Sequence, residues 1–175
     1  MVRMVSRIRW VERTFEFNLP VGVFPCILER LRGTPARIRE IVEPLSNDMR
    51  TTRVEQAWSI QEHVGHLFDL ESVHEGRLDD YLNAAAVLRP ADKQNRKTHE
   101  ARHNETPIEE LLDAFAAARM RFVRRLETFD EAILSRSALH PRLNVPMRMM
   151  DMGLFVAEHD DHHLAAITAL LGRRA

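Results

Sequence analysis

The chain has 175 residues, enough for one domain built on a single hydrophobic core. Its 25 Lys and Arg against 26 Asp and Glu leave a formal net charge of −1, which argues against a nucleic-acid-binding domain and gives no pull towards an anionic membrane. No apolar run approaches the roughly 18 residues of a membrane span, and the single cysteine, Cys26, excludes an intramolecular disulfide and suits a reducing cytoplasm.

The N-terminus carries Arg3, Arg7, Arg9 and Arg13 with no apolar stretch behind them, so it does not read as a secretory signal. Residues 1–22 predict an irregular strap, in which Phe15, Phe17 and Leu19 alternate with polar residues and pack on the remainder, residues 23–175. That remainder reads as all-α: it contains few period-two segments, and glycine is scarce. Helix one runs from Val23 to Val42 on an apolar face of Ile27, Leu28, Leu31, Ile38, Ile41 and Val42. Pro35 lacks the donor for an i−4 carbonyl, which predicts a kink or short break. Cys26 is expected as a small buried apolar side chain on this helix.

Helix two begins at Ser59, which with Glu62 has capping-box spacing, and continues to about Ala86. Residues 90–106 are polar and read as a loop. Thr106-Pro107-Ile108-Glu109 opens helix three with an N-cap, a proline at the first helical position and a second capping box. Ile108, Leu111, Leu112, Phe115, Phe122, Val123, Leu126 and Phe129 form its apolar stripe. Arg119, Arg121, Arg124 and Arg125 are expected on a solvated face. Residues 130–146, with Pro141 and Pro146, read as a long crossover, followed by helix four from Met149 to Leu171 with Gly172 as its C-cap. Four amphipathic helices with unequal connections predict a four-helix bundle with a crossover.

Nine histidines stand out, three of them between His159 and His163. On a wheel of about 100° per residue, His159 and His163 differ by about 40° and share an arc with Met152, Phe155, Val156, Ala166, Ile167 and Leu170. Two imidazoles on a buried stripe need partners, because unpaired polar nitrogens in a core are costly. A divalent ion reached by both from one helix would supply one. On helix two His66 flanks an apolar arc and can reach towards a neighbouring helix, although by geometry His63 competes with it. His159-Asp160-Asp161-His162-His163 also has the histidine spacing of the H-E-x-x-H zinc protease helix. Asp160 is one methylene short of the glutamate, and the twelve residues after His163 leave no room for a third ligand, so a protease is disfavoured. Asp160 reads instead as a helper that orients an imidazole, or as an ordinary helix carboxylate. Asp161 should face solvent and His162 the edge. His74, His99 and His103 read as surface or loop residues, while His140 lies in the crossover, from which it can approach the histidines. Met147, Met149, Met150 and Met152 read as core filler.

Trp58-Ser59-Ile60-Gln61-Glu62-His63-Val64-Gly65-His66-Leu67 resembles the helix-two signature of the DinB/YfiT-like superfamily, in which a histidine ligand follows one turn after the acidic residue. His140-Pro141, followed by Glu158-His159-Asp160-Asp161-His162-His163-Leu164 and Ile167, resembles its C-terminal signature, and the likeness extends from about residue 22 to residue 172. The resemblance implies a four-helix bundle, often a homodimer, with a divalent metal such as zinc or nickel, or alternatively iron or manganese, held by His66, His159 and His163. It implies a small-molecule substrate and an enzyme, either a transferase using a low-molecular-weight thiol or a hydrolase. The competing expectations are a non-enzymatic bundle in which the metal supports the fold or senses metal or stress, and a helical dimerisation module with no metal. No general base is evident; Glu62, one turn before His66, is the nearest candidate, and its capping role explains it equally well.

Overall fold

The computed structural model describes residues 5–172, so Arg3 and the chain beyond the expected Gly172 cap lie outside the described residues. Four long helices form the bundle: α1 (Phe24–Val42), α3 (Ile60–Leu82), α5 (Ile108–Glu127) and α7 (Met149–Gly172). Short helices α2 (Asn47–Thr51), α4 (Arg96–Glu100) and α6 (Glu131–Leu134) lie in the connections.

α1 is continuous through Pro35, so the short break that Pro35 allowed is absent. Pro35 leaves the Leu31 carbonyl without its helical donor, and the guanidinium of Arg119 fills the gap, Nη1 donating to Leu31 O at 3.4 Å. The buried stripe of α1 is Phe24, Ile27, Leu31, Thr34, Ile38 and Val42. Cys26 is off that stripe and exposed, contrary to the sequence expectation, because one residue before Ile27 is about 100° around the helix.

The capping box of α3 is formed: Ser59 N donates to Glu62 Oε2 at 2.9 Å and Glu62 N to Ser59 Oγ at 3.1 Å. The helix ends at Leu82, short of the expected Ala86, because Ala84 turns left-handed and the chain then runs extended beside β1 (Ser137–His140). There Leu139 N donates to Ala86 O and Leu88 N to Leu139 O. The expected second capping box at α5 is absent: its N-cap is Pro107, with no side-chain cap hydrogen bond. Residues 130–146 are not a plain crossover. They hold α6, capped by Asp130, and a hairpin of β1 with β2 (Val145–Arg148) that turns through left-handed Asn144. Pro146 pairs opposite Leu139, a position that a two-stranded ribbon tolerates because its edges need no donor.

Around the bundle α1 packs on α5 and α7, and α3 packs on the same two. Consecutive helices α1 and α3 therefore face each other across a diagonal. The apolar core falls into two clusters. One gathers Phe24, Leu31, Leu78, Tyr81, Phe122 and Met150 with the hairpin and strap; the other gathers Ile38, Ile60, Leu67, Phe115, Leu164 and Ile167. Between them every long helix places a polar residue: Thr34, Glu71, Arg119 and Asp160, each essentially inaccessible. Arg119, expected on a solvated face, is 0% exposed. It donates to Glu71 Oε1 from Nε at 3.0 Å and to Asp160 Oδ1 from Nη2 at 3.0 Å, and Thr34 Oγ1 donates to Asp160 Oδ2 at 2.8 Å. Asp160 thus serves this core network and orients no imidazole.

Candidate metal centre

α3 and α7 pack directly, and their facing stripes bring His66, His159 and His163 together. One nitrogen from each ring lies within 4.8 Å of the others, and all three residues are buried. His159 Nε2 and His163 Nε2 are 3.1 Å apart. That is close to the separation of two nitrogens sharing one ion at about 2.0–2.1 Å. Burial is the main cause that pushes His66 down to about 4 and holds His159 and His163 well below their ordinary 6.5. At neutral pH all three rings are therefore uncharged, the form a metal requires. The donor set, three buried neutral imidazoles with one nitrogen each turned towards the others, fits a cation held among these rings.

A hydrogen-bond chain fixes His66. Its Nδ1 is 3.1 Å from Thr98 Oγ1, and Thr98 Oγ1 donates its only proton to Asp69 Oδ2 at 2.9 Å. Thr98 must then accept from His66, so the proton sits on Nδ1 and the lone pair on Nε2. Asp69 is held in turn by His103 Nε2 at 2.8 Å, and its carboxyl is kept below the usual range by those bonds despite burial. His103 packs against the backbone of α3 at Gly65, where a Cβ would meet its ring at 2.2 Å. His63, the competitor of His66 by sequence, sits behind the cluster with Nδ1 2.8 Å from His163 Nδ1.

The three rings line a cavity of about 630 Å³. Trp58 packs over His66 at 4.7 Å between ring centroids, and Trp10 of the strap packs on His159 at 4.8 Å and on Phe155 at 5.0 Å. The strap is tied down by Arg13, whose Nη2 donates to Glu158 Oε2 at 2.5 Å, while Arg7 contacts His162. Phe15, Phe17 and Leu19 pack on the core beside it, as expected.

A model of the DinB superfamily matches residues 30–167. The chain belongs to the DinB superfamily. Among solved structures it is similar to YfiT from Bacillus subtilis, described as "a probable metal-dependent hydrolase with an unusual four-helix bundle topology". The identity is 22%, the TM-score 0.79, and the match covers 93% of this chain and 94% of that one. It is also similar to a mycothiol-dependent maleylpyruvate isomerase, at 11% identity and a TM-score of 0.65, over 84% of this chain and 60% of that one. At such identities the likeness is one of fold. No curated protein sequence matches.

Within this DinB bundle several residues depart from their sequence expectations. Glu62 is committed to its capping box and to Arg53, which hold its carboxyl below the usual range against the effect of burial. It is therefore poorly suited as a base. His103 and His74, expected on a surface or in a loop, are buried: His103 lies in the connection between α3 and α5 and holds Asp69, and His74 lies in the cavity wall. His140 does reach the cavity from the hairpin. Asp161 is partly buried, held by Arg30 at 2.6 Å and Arg37 at 2.8 Å. Asp69 and Thr98 were missed altogether. A carboxylate three residues after His66 was the one available signal, and nothing in the polar loop marked Thr98. Among the described residues no helix is long and apolar enough to cross a membrane.

Proposed function

We propose that this protein is a divalent-metal-dependent enzyme acting on a small molecule, with His66, His159 and His163 as its metal ligands. One observation carries the reading: three buried, uncharged imidazoles converge at the wall of a cavity of a size that holds small molecules. Three protein ligands leave coordination positions open, which is the pattern of catalytic rather than structural sites. A zinc or nickel ion bound here would supply Lewis acidity and lower the pKa of a thiol or water presented to it. The chain's own groups do the rest. Thr98 and Asp69 hold the His66 lone pair in place, and the rings of Trp10, Trp58 and Phe155 limit water around the reacting atoms.

Transfer to a low-molecular-weight thiol and hydrolysis both suit such a site. The descriptions of the two similar structures name one metal-dependent hydrolase and one thiol-dependent enzyme, which supports keeping both. The non-enzymatic alternative needs a closed site with a fourth protein ligand. Among the described residues the converging group contains three, and it borders a cavity.

Metal content by mass spectrometry tests the reading, on untagged protein reconstituted with zinc, nickel, iron or manganese. The expected result is about one metal per chain in the parent and loss of it in each of His66→Ala, His159→Ala and His163→Ala. No metal bound under any of the four reconstitutions would overturn the proposal.

A further inference from the structure

The cavity extends beyond the three histidines. Along α3 its wall is built by His66, Leu70, His74 and Arg77, one helical stripe, and the opposite side is closed by the hairpin residues His140 and Arg142. At this far end the charge is one-sided. Arg77 is 3% exposed, and its one side-chain hydrogen bond among the described residues runs from Nε to Arg89 O at 3.2 Å. Asp80, three residues on in the same helix, is occupied by Arg89 at 2.8 Å. Arg142 has no ion pair among the described residues; its guanidinium lies over the rings of Trp10 at 5.6 Å and Phe155 at 5.5 Å, and its Nη2 is buried without a partner. The one carboxylate in the cavity wall, Asp92, is spent on the backbone amides of Gln94 at 3.0 Å and Arg96 at 2.7 Å.

His140 adds a donor of known direction. Its Nδ1 accepts the backbone amides of Arg142 at 3.3 Å and Leu143 at 3.2 Å, so the ring proton of the neutral form sits on Nε2. That Nε2–H is buried without a partner in a residue only 2% exposed. Burial first, and then the nearby charges of Arg77 and Arg142, push His140 down to about 3, so the ring stays neutral. Two guanidiniums with no ion pair among the described residues, Asp80 acting on Arg77 only without direct contact, and an orphaned N–H in one pocket are costly in isolation and favourable around an anion.

We propose that Arg77, Arg142 and His140 form an anion subsite that binds the carboxylate of a small organic acid, whose other end lies at the three histidines. The proposal rests on the metal-enzyme reading for what happens at that other end. Trp10 and Phe155 connect the two ends: Trp10 touches both His159 and Arg142, and Phe155 lies 5.0 Å from His140 between ring centroids. Leu70, Pro90, Pro141 and Leu143 line the space between with apolar surface suited to a hydrocarbon body. The planar guanidinium forks and the imidazole donor match a carboxylate, and a free inorganic phosphate would leave the apolar lining of Leu70, Pro90, Pro141 and Leu143 without a partner.

Metal-stripped protein gives the decisive test, because no ion is then present to hold a carboxylate. Hexanoate, hexanamide and inorganic phosphate are titrated while the fluorescence of Trp10 and Trp58, both in the cavity wall, is followed. Saturable binding of hexanoate is expected, weakened about tenfold or more in Arg142→Gln and in Arg77→Gln. Hexanamide and phosphate are expected to bind more weakly still. Arg142→Gln, at the more exposed of the two arginines, guards against a folding defect in Arg77→Gln, and its thermal unfolding should match the parent. Hexanoate binding that is absent, is unchanged in Arg142→Gln, or is matched by phosphate or hexanamide would overturn the subsite. Metal content of the same variants separates the two ideas. A parent that binds metal but not hexanoate loses only the subsite; one that binds hexanoate through Arg142 but never metal loses only the metal reading.

Discussion

Thr98 is a single hydroxyl whose one proton decides the tautomer of a neighbouring ring. Because it donates to Asp69, it must accept from His66, and that leaves Nε2 of His66 free towards the other two histidines. Replacing Thr98 by Val removes the acceptor at constant shape and lets the His66 proton choose either nitrogen. Metal affinity should then fall by about ten- to a hundredfold, as for other groups that orient metal ligands. Competition with a chelator of known affinity measures this, and Thr98→Ser, which keeps the hydroxyl, should restore most of the loss. Equal affinity in parent and Val variant would refute the assigned role. Asp69 belongs to the same argument, since it takes the hydroxyl proton and is itself held by His103.

At the scale of elements, α5 contributes one charged side chain to an otherwise apolar interface. Arg119 reaches across the diagonal bundle to Glu71 on α3, Asp160 on α7 and the carbonyl that Pro35 frees on α1, so one guanidinium joins all four long helices. Arg119→Ala would leave the buried Glu71 carboxyl and the Leu31 carbonyl unpartnered and Asp160 with Thr34 alone. Breaking one side of such a network costs about 3–5 kcal/mol. Urea denaturation should show this as a lower midpoint with a similar slope, and a loss under about 1 kcal/mol would mean that water or repacking replaces the guanidinium. Burial already pushes the Glu71 carboxyl upward despite Arg119, which shows how little compensation the site has in reserve.

For the whole molecule, the buried histidines make stability depend on pH in a defined direction. His63 is pushed down to about 3 and His66 to about 4 from an ordinary 6.5, in both cases chiefly by burial. The folded state therefore binds fewer protons than the unfolded chain below pH 6.5. The depressed values contribute stability that is fully present above 6.5 and lost as pH falls towards about 4. Metal-stripped protein should accordingly lose stability between pH 6.5 and about 4, before most carboxylates titrate, as read from urea midpoints across that range. Saturating zinc at pH 7.5 should raise stability by about 2.7 kcal/mol at a hundredfold excess over its dissociation constant, and His159→Ala should abolish the increase. A flat midpoint from pH 7 to 4.5 would show that these rings are hydrated or protonated in the folded chain.

The four helices and the convergence of His66, His159 and His163 were legible in the chain alone. Helical periodicity and the i,i+4 pair are local properties, and the family signatures supplied the choice of His66 over His63, which local geometry left open. The capping box of Ser59 and Glu62 was equally local. The partners of buried charges were not legible, because ion pairing follows from which helices become neighbours. An arginine four residues after Phe115 looks the same on a solvated face as in a core, until α3 and α7 bring carboxylates to it. The same holds for Thr98 and His103, polar loop residues whose roles appear only when the loop folds back on α3. The hairpin escaped because its strands, four residues each, are too short for alternation to show against Pro141 and Pro146. Sequence thus determined the four long helices and the three histidines that converge between α3 and α7. Tertiary packing alone decided which proton fixes His66, which charges are buried, and that Arg77, Arg142 and His140 line one cavity.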